Sequence, residues 1–182
     1  ESLVLYLHGH RGPCGDSNST SPTAMATRAD LLNQTVQAGE GKMVTVFPMS
    51  RGNCNDYDGM LVSSFPRYKE WAEKHLNPET NKWIVAGHSG SGRAMANILS
   101  SHKDFTRQTT TAALLDAAYS MNNYIGRWAS AAGANRRLQI RSYYATASPE
   151  QGSRQLQSAI PSQAKAIRSD AHGQHCRVPN VD

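Results

Sequence analysis

Short apolar runs alternate with helical patterns along this chain, and this alternation limits the folds that it can adopt. The runs are of strand length, and the loops after the first two are rich in Gly, Ser and Asn. The predicted strands cover residues 2–7, 43–49, 82–86, 111–115, 138–145 and 164–169, and the predicted helices cover 22–37, 60–76, 93–101, 121–132 and 150–160. Such alternation predicts an α/β three-layer sandwich, in which helices flank a mainly parallel sheet of about six strands. Within the second helical pattern, Pro66 predicts that a helix begins or restarts there.

The bulk composition is typical of one globular domain. The chain has 182 residues, of which 38% are hydrophobic and 18% are charged, and these values exclude a disordered chain or a coiled coil. Its length suits a single core, so we expect a single domain over residues 1–182. No apolar run approaches the roughly 18–20 residues that a membrane span needs, so no membrane span is expected.

The net charge and the cysteines limit which classes of partner, metal site and disulfide the sequence predicts. The net charge of +5 favours anionic partners, but the sequence has no basic block, and residues 135–137 (NRR) come nearest to one. We therefore expect the charge to be a general surface property and no nucleic-acid partner. Three cysteines without CxxC spacing argue against a zinc or redox motif. Cys14 and Cys54 lie in loops after predicted strands, and either a disulfide between them or free thiols would agree with the sequence.

The most informative segment is 86–92 (AGHSGSG), which follows an apolar strand and opens a helix. A tight strand–helix turn with small flanking residues is the setting of a nucleophile elbow, and Ser89 stands at its centre. The usual pattern has Gly two residues after the nucleophile, whereas this chain has Ser91 followed by Gly92. The backbone N–H of Gly90 is the expected donor to the oxyanion of a tetrahedral intermediate. A phosphate-binding turn is the alternative, but no Lys follows the glycines as in the Walker pattern.

A second segment, 7–12 (LHGHRG), follows the first strand. Together the two segments resemble the α/β-hydrolase superfamily, in the expected order along the chain. The resemblance implies a second oxyanion donor, the backbone N–H of His10, and a reaction that needs neither cofactor nor metal. The first antiparallel strands of the full family fold are missing, which indicates a minimal, cutinase-like form or a trimmed chain.

A serine nucleophile needs a base, and the base needs an orienting acid. The superfamily order is nucleophile, acid, histidine. Asp116 ends the fourth predicted strand and is the preferred acid, with a helix cap as its alternative role and Glu150 as the second candidate acid. His175 is the preferred base over His172. These two histidines with Cys176 have the residue types of a zinc site but lack a clear fourth ligand.

These features predict a serine hydrolase that cleaves an ester or amide bond through an acyl-enzyme. The loops 11–20 and 50–58 are polar and are expected to line the rim, which suits a polar small-molecule or polymer substrate better than a long acyl chain. The alternative is a catalytically inactive domain of the same fold that binds a polar or anionic ligand. Loop cysteines and a start at Glu1 that resembles a processed chain favour a secreted or periplasmic protein. The oligomeric state is left open.

Overall fold

The computed structural model describes residues 2–9, 43–46, 48, 57–76 and 82–170. Within them, six strands form one sheet in the order β2-β1-β3-β4-β5-β6, and every pair of neighbours is parallel. The strands are β1 (Ser2–Leu7), β2 (Met43–Val46), β3 (Trp83–His88), β4 (Thr109–Leu115), β5 (Gln139–Tyr144) and β6 (Ala164–Arg168). Helices flank this sheet, so the predicted three-layer α/β architecture is confirmed.

Five α-helices and two 3-10 turns connect these strands in the described part of the chain. The helices are α1 (Tyr57–His75), α2 (Gly92–Ser101), α3 (Lys103–Gln108), α4 (Ile125–Ala134) and α5 (Ala147–Ala159), and the 3-10 turns are Ser89–Ser91 and Met121–Asn123. None of the helices described is long and apolar enough to cross a membrane.

The strand order reverses once, between β1 and β3. The chain passes outward from β1 to β2, returns across β1 to β3, and then adds β4, β5 and β6 in sequence order. In open parallel sheets, a crevice forms where the order reverses, outside the carboxyl ends of the strands. The carboxyl ends of β1 and β3 therefore lie beside this crevice.

An aromatic cluster joins the sheet to two helices. Phe105 of α3 contacts Phe65 of α1 and Trp83 of β3 edge to face, with ring centroids 4.5 and 5.3 Å apart. All three side chains are at most 1% exposed, and burial of each such ring stabilises the fold by roughly 2–3 kcal/mol. The indole N–H of Trp83 donates to Glu73 Oε1 at 3.0 Å, so the polar atom of the cluster is also satisfied.

The expectation that a helix begins or restarts at Pro66 is wrong, because α1 runs from Tyr57 through Pro66 without a break. A proline inside a helix has no N–H, so the carbonyl four residues earlier loses its usual donor. In this chain that carbonyl belongs to Val62, and His102 Nε2 donates to it at 2.7 Å. A side chain from the end of α2 thus replaces the missing backbone hydrogen bond.

Other boundaries differ by a few residues. β4 begins at Thr109 rather than 111, and α5 begins at Ala147 rather than 150. Helix α3 was not expected, and the predicted helix 121–132 is a 3-10 turn followed by α4. The predicted helix 22–37 lies outside the described residues.

Candidate active site

Ser89 follows the last residue of β3 directly and has a left-handed backbone, with φ of 56°. Few residues other than glycine adopt this conformation, because the Cβ then crowds the backbone. The 3-10 turn Ser89–Ser91 and the start of α2 at Gly92 follow at once. Strand, strained serine and helix therefore occur in the order that a nucleophile elbow requires.

The turn leaves no room for larger residues. A Cβ at Gly87 would lie 2.4 Å from Ser91 Oγ and 2.6 Å from Met95 Sδ. Ser91, which replaces the usual glycine, is fully buried, and its Oγ donates to the carbonyl of His88 at 2.9 Å. The departure from the usual pattern is therefore accommodated by a hydrogen bond inside the turn. His88 is itself 5% exposed, as expected of a packing residue.

Gly9, after β1, lies against the serine. A Cβ at Gly9 would lie 2.6 Å from Ser89 Cβ and 3.3 Å from Ser89 Oγ. The neighbouring His8 donates from Nδ1 to the Gly9 carbonyl at 2.7 Å. Burial lowers the pKa of His8, and the hydrogen bond to Gly9 raises it by less, so the neutral ring with its proton on Nδ1 is favoured. Gly9 is thus held beside the serine hydroxyl.

Asp116 occupies the equivalent position on the next strand. The register pairs His88 with Leu115, so Ser89 and Asp116 are the next residues of neighbouring parallel strands. Asp116 is fully buried and is also left-handed, with φ of 48°. Its backbone N–H donates to the carbonyl of Tyr143 at 2.8 Å. Ser89 and Asp116 therefore follow neighbouring strands at the carboxyl edge of the sheet.

The carboxylate of Asp116 is bound to the turn after β5. Its Oδ1 accepts the backbone N–H groups of Ala145 and Thr146 at 2.8 and 3.3 Å, and its Oδ2 accepts the hydroxyl of Thr146 at 2.9 Å. All three of these hydrogen bonds are to residues after β5, and not to the segment that follows β4. The 3-10 turn in that segment has Ser120 as its N-cap residue. The three hydrogen bonds do not correspond to the helix cap considered as the alternative role.

Tyr119 lies close to this cluster. Its side chain is half-buried. Burial raises the pKa of Tyr119, and the negative charge of Asp116 raises it further, while the neighbouring Thr146 side chain lowers it by less. The phenol therefore keeps its proton at neutral pH.

Glu150, the second candidate acid, is bound elsewhere. It lies in the first turn of α5, and its Oε1 accepts from Nε and from a terminal guanidinium nitrogen of Arg154 at 3.0 and 2.8 Å. Its side chain is 41% exposed, so this ion pair lies at the surface. Asp116 is the carboxylate that the fold places beside the serine strand.

Several predicted residues lie outside the described part of the chain. These are His10, His172, His175, Cys14, Cys54 and Cys176, together with the loop 11–20 and most of the loop 50–58. The described chain ends at Asp170, two residues after β6 ends at the same edge of the sheet. Within the described ranges, no group of three or more His, Cys, Asp or Glu residues is arranged to hold a metal ion.

Sequence reasoning missed Thr146 as a part of this site. Thr146 follows the predicted strand 138–145 directly, and that position at a strand end could have suggested it. Nothing in the sequence indicates that its hydroxyl bonds to a residue 30 positions earlier. Such a contact depends on which strands are neighbours in the sheet.

Comparisons with known proteins support the fold. No protein-family model matches the chain, and no curated protein sequence matches it. The crystal structure of the lin2722 gene product of Listeria innocua is similar at a TM-score of 0.63 and 11% identity, over 98% of this chain and 88% of that one. The phospholipase PlaB of Legionella pneumophila covers 92% of this chain and 38% of its own at a TM-score of 0.40 and 10% identity, a likeness too weak to support a conclusion. The similarity to the Listeria structure thus supports the three-layer α/β fold described above.

Proposed function

We propose that this protein is a serine hydrolase that cleaves an ester or amide bond through an acyl-enzyme. Ser89 is the nucleophile, Asp116 the orienting acid and His175 the base. The backbone N–H groups of Gly90 and His10 form the oxyanion hole. The observation that carries the proposal is the left-handed serine directly after β3, with the buried Asp116 at the equivalent position directly after β4.

The strain at these two positions is the strongest support. A left-handed residue other than glycine costs of the order of 1–3 kcal/mol, and such costs persist mainly at functional sites. Three described residues other than glycine bear it, Ser89, Asp116 and Ser120. The first two directly follow the neighbouring strands β3 and β4, and Ser89 lies beside the point where the strand order reverses. That point is where α/β sheets bind their ligands.

The reaction follows from this arrangement. Ser89 Oγ attacks the carbonyl carbon while the base removes its proton, and the carbonyl oxygen becomes the oxyanion of a tetrahedral intermediate. The N-terminus of α2 follows the serine and favours negative charge there. The intermediate collapses to the acyl-enzyme as the base protonates the leaving group, and water then releases the acid by the same steps. Asp116 holds the imidazole and stabilises its charged form.

The proposed substrate class is based on the sequence of the predicted rim loops. The two predicted rim loops are polar, so we propose a polar ester or amide, either a small molecule or a polymer. No cofactor is part of the proposal. A secreted or periplasmic location is proposed on the loop cysteines.

The test is labelling with a fluorophosphonate probe, followed by peptide mapping. We expect modification at Ser89 in the wild-type protein and none in Ser89→Ala, because only an activated serine reacts. Ser91→Ala is the matched control: it removes a hydroxyl two residues away that is bound inside the turn, and it should still be labelled. Absence of labelling in folded wild-type protein would overturn the proposal and favour an inactive domain that binds a polar or anionic ligand.

A further inference from the structure

Thr146 is the N-cap residue of α5, but its hydroxyl does not cap the helix. Its backbone is extended, with φ of −118° and ψ of 157°, as an N-cap residue requires, yet its side chain makes no cap hydrogen bond. Threonine at this position usually accepts an N–H of the first helical turn. Here the hydroxyl donates to Asp116 Oδ2 at 2.9 Å instead. The hydroxyl that would otherwise cap the helix therefore binds the carboxylate of Asp116.

The two oxygens of Asp116 have different partners. Oδ1 accepts two backbone N–H groups, from Ala145 and Thr146, and is committed to the turn after β5. Oδ2 is bound by a side chain, the hydroxyl of Thr146. An imidazole N–H is therefore expected to approach Oδ2, and the direction of that oxygen depends on Thr146.

The direction of this hydrogen bond is fixed by chemistry. A carboxylate only accepts, so the single hydroxyl proton of Thr146 points to Asp116. Thr146 therefore orients the carboxylate.

We propose that Thr146 is a positioning residue of the hydrolase, holding Asp116 Oδ2 in the direction of the base. This inference rests on the proposed function. Thr146 touches neither the serine nor the substrate in this role, and acts only through Asp116. The acid from β4 thereby receives its orientation from the turn after β5, a neighbouring strand.

Thr146→Val tests the role because it keeps the branched shape and removes the hydroxyl. No cap bond is lost, so the helix should persist. The measurement is the rate of fluorophosphonate labelling of Ser89 against pH. Loss of a hydrogen bond to a charged group should lower the plateau rate on the order of tenfold. The apparent pKa of the base should fall, because a poorly held carboxylate stabilises the imidazolium less.

Two further variants separate positioning from packing. Thr146→Ser keeps the hydroxyl and should label at nearly the wild-type rate. Thr110→Val removes a threonine hydroxyl that bonds to the carbonyl of Trp83, in the first half of β4, and should change neither the rate nor the pH profile. If Thr146→Val does not fold, Thr146→Ala against Thr146→Ser gives the same comparison.

The inference is overturned if Thr146→Val labels at the wild-type rate with an unchanged pH profile. It is also overturned if Thr146→Ser is as slow as Thr146→Val, because packing would then explain the loss. Both results leave the proposed function intact, since the wild-type protein is labelled in each. Absence of labelling in the wild-type protein overturns the proposed function, and this inference with it.

Discussion

At the scale of single residues, two strained positions define the site. Ser89 and Asp116 are both left-handed, and their surroundings hold them there. Gly9 approaches the Cβ of the serine, and Thr146 binds the carboxylate of the aspartate. A side chain at Gly9 or the loss of the Thr146 hydroxyl would therefore act on the reacting groups themselves.

Replacement of Asp116 by Asn should separate the two candidate acids. The amide nitrogen of asparagine cannot accept the N–H and O–H donors that surround Asp116, and the base loses its counter-charge. We expect Asp116→Asn to slow labelling of Ser89 by roughly 10³–10⁴-fold. Glu150→Gln disrupts a surface ion pair and should leave the labelling rate near that of the wild type. The opposite ranking would move the acid to Glu150.

The two late histidines are distinguished in the same assay. His175→Ala removes the proposed base and should slow labelling on the order of 10³-fold. His172→Ala is the matched control, because it removes an imidazole three residues earlier in the same segment. We expect it to have a mild effect, and a severe loss at His172 with a mild one at His175 would reverse the assignment.

At the scale of elements, two helices approach the segment that carries Asp116. A Cβ at Gly92 of α2 would lie 2.0 Å from the carbonyl oxygen of Ala117, and a Cβ at Gly152 of α5 would lie 1.7 Å from that of Ala118. Glycine is unfavourable inside a helix by roughly 0.5–1 kcal/mol relative to alanine. Close packing of both helices on residues 117–118 accounts for its use at these positions.

Replacement of glycine by alanine should therefore change the stability of the protein in opposite directions at two helical glycines. Gly152→Ala forces a Cβ into a backbone carbonyl and should destabilise the protein by about 1–3 kcal/mol. Gly133→Ala, in α4, meets nothing within 4 Å and should stabilise it by up to roughly 1 kcal/mol. Urea unfolding followed by circular dichroism measures both. Equal changes in the free energy of unfolding would show that α5 is not tightly packed against the carbonyl of Ala118.

The elements themselves were largely predictable from the sequence, and their exceptions have physical causes. All six strands of the described residues had been predicted, and β1 and β3 are nearly continuous in hydrophobicity, as buried parallel strands are. The position of Pro66 inside α1 was not predictable, since its cost is offset by His102, 36 residues away. Helix α3 has six residues, too few for a periodic pattern to be visible.

The site was predictable in part. The small residues around Ser89 indicated the elbow, and the position of Asp116 at a strand end indicated an acid at the same edge of the sheet. The partners of Asp116 were not indicated, because hydrogen bonds between turns depend on which strands are neighbours. Sequence order alone does not place β1 between β2 and β3.

At the scale of the whole molecule, one core extends across the sheet. Buried apolar residues from all six strands belong to a single cluster, which also includes residues of the flanking helices. Trp83 of β3 and Trp128 of α4 are fully buried in it, whereas Trp71 of α1 is 50% exposed. The buried indoles therefore report on two different layers of the same core.

We expect the protein to unfold in one cooperative transition. A continuous core gives no boundary at which part of the sheet could unfold alone. Tryptophan fluorescence and far-ultraviolet circular dichroism should give the same midpoint in urea, and Trp71→Phe should leave that midpoint nearly unchanged because its ring is half exposed. Two separate midpoints would contradict a single core.

The central place of β1 also matters while the chain is being synthesised. Leu3 pairs with Trp83, so one partner strand of β1 is made about 80 positions later. At typical synthesis rates of roughly 5–20 residues per second, that delay is on the order of ten seconds. Throughout that time, one edge of the apolar strand β1 has no paired strand, and such an unpaired edge associates readily with other chains. Protection of this strand on the ribosome is therefore part of what the fold requires from the cell.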